Sequence, residues 1–118
     1  MINALLVFIS GGVGALLRYI ITFMTGHLGL YVHLVPNLIG AFLIGVLTVH
    51  FELLSKELWL ILVVGFLGGF TTFSGYIQFA ATEGSLKSLY YILIHHVAGF
   101  GLFFIGVEFS KRILAQKV

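Results

Sequence analysis

Polar side chains are scarce in this sequence, and those able to do chemistry stand inside apolar runs. The candidates are Arg18, Asn37, the run Thr71-Thr72-Phe73-Ser74-Gly75-Tyr76, and the pair His95-His96. A guanidinium in an apolar stretch is expensive unless it snorkels from the helix end, pairs, or faces water. For Arg18 two readings stand, snorkelling and the attraction of an anion. The Asn37 carboxamide needs a partner in hydrocarbon, either on a neighbouring helix or in an anion that accepts its N–H groups. The hydroxyls of Thr71, Thr72 and Ser74 can satisfy freed backbone groups or reach toward a ligand. Adjacent helical residues point about 100° apart, so His95 and His96 are not expected to face one pathway. No carboxylate or further histidine lies at i,i+4 spacing from them, so a metal site there is not expected either.

Other chemistries find no residues. There is no nucleophile–base pair, no paired intramembrane carboxylate and no phosphate-cradling loop, and the chain is not expected to be an enzyme. Glu52, Glu57, Glu83 and Glu108 stand at or beyond the ends of the apolar runs. A proton-coupled small transporter would need a carboxylate within the membrane. Zero cysteines exclude disulfides and thiolate metal sites.

The element that must position these groups is Gly65-Phe66-Leu67-Gly68-Gly69-Phe70-Thr71-Thr72-Phe73-Ser74-Gly75-Tyr76. It interrupts a long apolar run with glycines, hydroxyls and aromatics. Glycine is a poor helix former that permits unusual backbone, and non-helical backbone survives in a membrane only where protein buries it or it lines an aqueous cavity. The stretch therefore reads as a helix broken near mid-membrane, with the break as the functional site. Gly65 and Gly69, in GxxxG spacing, allow the alternative of a small-residue packing face. Ser10-Gly11-Gly12-Val13-Gly14-Ala15 in the first apolar run is another such face.

Of 118 residues, 60% are hydrophobic and 8% charged, and the mean hydropathy is +1.16. This is an integral membrane composition. Apolar stretches at about 3–24, 32–51, 58–81 and 88–109 each meet the roughly 20 residues needed to cross a bilayer. The expectation is one all-α unit, 1–118, of four transmembrane helices in contact with lipid. Met1-Ile2-Asn3 lacks a basic n-region, so no secretory signal is expected. The net charge of +2 comes largely from the tail after the last run, which suits a juxtamembrane patch rather than a nucleic-acid surface.

These residues together resemble one family, the Fluc-type (CrcB) fluoride channels, over essentially the whole chain. The resemblance rests on Gly11-Gly12-x-Gly14-Ala15-x-x-Arg18-Tyr19, on Asn37-x-x-Gly40-x-Phe42, and above all on Gly65-Phe66-x-Gly68-Gly69-Phe70-Thr71-Thr72-Phe73-Ser74. It implies small four-span subunits pairing as antiparallel dimers, with two fluoride pathways and a structural sodium ion at the dimer centre. Gly68 and Thr71 match the positions whose backbone carbonyls hold that ion. Asn37 matches the asparagine that donates to fluoride, and Phe73 the first of two phenylalanines beside the pathway. Ser74, Tyr76 and His96 fall on the same pathway, with Arg18 attracting the anion. Export would be passive, across the cell membrane, and would protect the cytoplasm from fluoride. Amide and hydroxyl hydrogens and the positive edge of an aromatic ring can replace the water fluoride loses, and a string of modest sites lets the ion leave as readily as it enters.

The chain departs from the family pattern in three places. Tyr76 stands where a second phenylalanine is expected. Phe100 and Phe104 stand where hydroxyl residues continue the polar track below His96. His33 and Pro36 replace a threonine and a valine around Asn37. Lys56, Lys111, Arg112 and Lys117 fall on one side of a four-span topology and Lys87 on the other, which favours cytoplasmic termini. An antiparallel dimer with a paralogous partner of opposite bias is then expected alongside a dimer of identical chains. Two alternatives are a small multidrug-type transporter subunit and a non-conducting structural subunit of a channel pair.

Overall fold

The structure, a computed structural model, describes residues 1–82 and 84–116. Glu83 and Lys117 lie outside the described residues. Helix α1 (Ile2–Met24) leads through a 3₁₀ turn, Gly26–Tyr31, to α2 (Leu34–Val49). The third span starts at Lys56–Trp59, widens into a π-helical segment Leu60–Leu67, and ends as a last turn Gly68–Phe70; residues 56–70 are here α3. Helix α4 is Ser74–Thr82 and α5 is Ser85–Ala115. All regular structure among the described residues is helical.

Apolar side chains largely face outward. Among the described residues the buried hydrophobics are Leu67, Phe70, Tyr76, Ala80 and Tyr91, whereas Phe8, Val13, Leu16, Phe23, Val97 and Phe104 are more than half exposed. A soluble fold does the opposite. Such a surface suits lipid or another membrane chain, and the 49 Å long axis compares with a bilayer about 40–45 Å thick. This is a multi-pass membrane protein.

Among the described residues, three stretches are long and apolar enough to cross: Ile2–Met24, Lys56–Thr82 and Leu86–Ala115. The second run, read from sequence as 32–51, is helical only over Leu34–Val49, 16 residues, or about 24 Å. Its start is delayed by a turn at Gly29, whose φ of 54° lies in the left-handed region, and its end is closed by the His50 imidazole on the Val46 carbonyl. The fourth run, read as 88–109, is overshot by the 31-residue α5. That helix continues past the apolar stretch, where Arg112 pairs with Glu108 at 3.0 Å.

Two close helix pairings make the frame. Helices α1 and α3 meet through their glycines: a Cβ on Gly14 would strike the Phe66 carbonyl, and one on Gly69 the Gly11 carbonyl. Gly65 and Gly69 are therefore a packing face, and the loss of helix comes after them. Helices α2 and α5 cross in the same way, with Gly45 against the Phe103 backbone and Gly106 against Phe42. Small residues allow this backbone approach, which membrane helices rely on in place of a hydrophobic driving force between them.

Candidate ion pathway at the helix interruption

The helix of the third span ends at Phe70, where the Thr71 N–H still reaches the Leu67 carbonyl at 2.9 Å, and helix resumes at Ser74. Thr71 adopts extended backbone (φ −81°, ψ 158°). Side chains from α1 and α2 take over the freed groups. Arg18 Nε donates to the Gly69 carbonyl at 3.1 Å. The Asn37 amide grips the Thr72 backbone twice, accepting its N–H at 2.8 Å and donating to its carbonyl at 2.9 Å. The Thr72 hydroxyl accepts the Gly75 N–H at 3.0 Å and so starts α4. Thr71 points back, its hydroxyl donating to the Leu67 carbonyl at 2.9 Å.

These bonds leave two carbonyls without their helical donors. In a continuous helix, Thr72 N–H would serve Gly68 and Gly75 N–H would serve Thr71. Both donors are committed elsewhere. Gly68 is exposed, with nothing closer to its Cβ position than the Val63 carbonyl at 3.8 Å.

Beside the interruption lies a cavity of about 120 Å³ lined by Asn37, Phe73, Tyr76, His95 and His96. It brings together four of the sequence-derived pathway residues: Asn37, Phe73, Tyr76 and His96. Ser74, exposed at the start of α4, is not part of this lining. Arg18 is held at the Gly69 carbonyl, on the α1 side of the break. Asn37 spends one amide hydrogen on Thr72 and keeps the second. Phe73 is 69% exposed and meets the Tyr76 ring edge-to-face, centroids 5.3 Å apart.

His95 is the residue that sequence reasoning misplaced. Both histidines line the cavity, although successive helical positions diverge by about 100°. The cavity sits between their two directions, with Tyr76 against both: stacked on His95 at 4.5 Å and tilted to His96 at 6.2 Å. Tyr91, fully buried, closes the back, its ring edge-on to His95 at 4.3 Å. The signal was the aromatic density of Tyr90-Tyr91 one turn before the histidines. A second, larger cavity of about 390 Å³ continues from His95 and His96 along Gly99, Phe100, Phe103 and Phe104, with Ala41 and Ile44 opposite. Apart from the two histidines its lining is apolar.

The family described as CrcB-like protein, Camphor Resistance (CrcB), matches residues 5–107. The chain belongs to the CrcB family. A fluoride-specific ion channel of Gloeothece citriformis is 34% identical over 95% of this chain and 99% of its own. One from Hydrogenobaculum is 39% identical over 83% of this chain and 88% of its own. A fluoride-specific ion channel FluC 2 of Staphylococcus saprophyticus is 32% identical, covering 92% of this chain and 97% of its own. The chain thus covers 99%, 88% and 97% of these three relatives' own lengths.

Proposed function

We propose that this CrcB chain is a subunit of a fluoride-selective channel that lets fluoride leave the cytoplasm passively across the cell membrane. The observation that carries this reading is the cavity lined by Asn37, Phe73, Tyr76 and His96, in a chain whose relatives are named fluoride-specific. A desolvated fluoride needs hydrogen donors and positive ring edges. The free Asn37 amide hydrogen, the Tyr76 hydroxyl and the Phe73 ring supply both.

The interruption at 71–73 belongs near mid-membrane in this reading, at the centre of an antiparallel dimer. The exposed Phe73 and Gly68 fit that assembly, because a partner can cover both. The released Gly68 and Thr71 carbonyls are hard oxygen donors suited to a sodium ion shared by two subunits. Bound there, the ion would supply a fixed positive charge that ties two broken helices together. Relatives numbered FluC 1 and FluC 2 agree with pairs of paralogous subunits. Arg18 then stabilises the negative end of α3 rather than waiting for an anion.

A second reading, a non-conducting member of such a pair, draws on one observation: Phe100 and Phe104 fill the lane below His96. A multidrug-type transporter draws on none, since every acidic residue among those described is exposed. Fluoride and chloride efflux from liposomes, with this chain alone and with a paralogue, tests the proposal. Fluoride efflux well above chloride supports it. Equal leakage of both, or none in either preparation, sinks it.

A further inference from the structure

The turn from α2 to α3 carries a charged segment, Phe51-Glu52-Leu53-Leu54-Ser55-Lys56-Glu57-Leu58-Trp59, between two apolar runs. After α2 the chain makes a 3₁₀ turn, Phe51–Leu53, and Leu54 then takes extended backbone (φ −91°, ψ 140°). The Ser55 hydroxyl accepts the Leu58 N–H at 3.2 Å and so starts α3. This path folds Glu52 and Lys56 around one open pocket of about 570 Å³, walled by Phe51, Leu54, Trp59 and Leu60. Pockets of roughly 300–1,000 Å³ hold small organic molecules.

Charge, rings and depth narrow the occupant. Among the described residues the ion pair is Arg112 with Glu108, so Glu52 and Lys56 line one pocket without closing on each other. A carboxylate only accepts hydrogen bonds and an ammonium only donates them, and the pocket therefore offers an anchor to each end of a zwitterion. Glu57 beside Lys56 leaves the segment net negative, which disfavours a purely anionic occupant. Trp59, the one tryptophan of the chain, meets Phe51 edge-to-face with centroids 4.7 Å apart. Tryptophan favours the headgroup level of a bilayer, and an aromatic face attracts a cation. The turn lies at that level. His50 Nδ1 is 3.1 Å from Ser110 Oγ, one residue before Lys111, where α5 leaves its apolar stretch. Around the pocket Phe51, Leu53 and Leu58 are all exposed, an apolar rim that suits acyl chains.

We infer that this pocket holds the headgroup of a zwitterionic phospholipid with a primary ammonium, its phosphodiester on Lys56 and its ammonium on Glu52 against the Trp59 ring. A primary ammonium keeps the N–H donors that Glu52 accepts, and a quaternary one has none. The site is separate from the ion pathway and does not depend on which ion the chain passes.

The test gives the purified full chain, in detergent, equal amounts of dioleoyl phosphatidylethanolamine, phosphatidylcholine and phosphatidylglycerol, and counts retained lipid by native mass spectrometry. Phosphatidylethanolamine should be retained several-fold over either of the others and, given alone, should raise the melting temperature most. Glu52→Gln should erase the preference over phosphatidylglycerol, whereas Lys56→Gln should lower retention of both lipids. Both side chains are exposed, and the wild-type comparison needs no variant. Glycerophosphoethanolamine, the same headgroup without acyl chains, should not compete at equal concentration. Best retention of phosphatidylglycerol, no headgroup preference in the wild type, a preference unchanged in folded Glu52→Gln, or equal binding of the soluble headgroup overturns the site. Each of these results leaves the channel reading standing.

Discussion

At the scale of single residues, Asn37 and Phe73 separate two kinds of pathway residue. Asn37 braces the break, so Asn37→Ala should remove fluoride flux and also lower stability. Two backbone groups of Thr72, itself 7% exposed, would lose their partner, at about 1–3 kcal/mol for a buried group left unsatisfied. Phe73 is exposed in the single chain, and Phe73→Ala should cut flux while the melting temperature of the detergent-solubilised protein moves little. Equal destabilisation by both variants would contradict this division. The sequence already held Asn37 as either a helix-to-helix bond or an anion donor, and the geometry lets one amide do both. Arg18 was harder to read. Its partner is a backbone carbonyl 51 positions away, and backbone groups freed by a break carry no side-chain signature.

At the scale of elements, the glycines divide by what they touch. Gly11, Gly14, Gly65 and Gly69 face one another across α1 and α3, whereas a Cβ on Gly12 meets nothing within 4 Å. Gly14→Ala and Gly69→Ala should each cost roughly 1–3 kcal/mol through forced backbone shifts. Gly12→Ala should be neutral. Thermal unfolding of the three proteins in one detergent checks the order, and equal melting temperatures would remove the packing argument. The helical class was legible from the long apolar runs, and the glycine and hydroxyl cluster singled out the third span among them. The offset between glycines and interruption was not, because GxxxG spacing and a broken helix call for the same residue. Nor was the joint lining by His95 and His96, since that cavity needs Asn37 of α2 and Tyr76 of α4 as its other walls.

At the scale of the whole molecule, the exposed face decides how many chains make the working unit and how many pathways conduct. Phe73, Gly68 and Phe100 all lie open in one chain, and their proposed roles need an antiparallel partner. If released carbonyls at Gly68 and Thr71 share sodium with that partner, replacing sodium by a bulky organic cation should weaken the dimer, read by size exclusion after long incubation. An equally stable and active complex without sodium would count against a shared ion. The apolar lane sets the number of pathways. In the proposed pathway, an ion below His96 would meet Phe100, Phe103 and Phe104, where rings offer only weak edge contacts in place of hydroxyl donors. In the proposed two-pathway dimer, identical chains would carry that lane in both pathways and should conduct poorly. A paralogue with a polar fourth helix would restore one pathway, so the mixed dimer should conduct at least several-fold faster. The double variant Phe100→Ser, Phe104→Ser should then raise flux from the chain alone, because serines at i and i+4 share one helix face and restore donors to the lane together. Both side chains are exposed in the single chain, so the substitutions remove little packing within it, and size exclusion checks that the variant still pairs. Homodimers that already conduct as fast as the mixed preparation, with no gain from the serines, would show that the lane is no barrier and that both pathways are open.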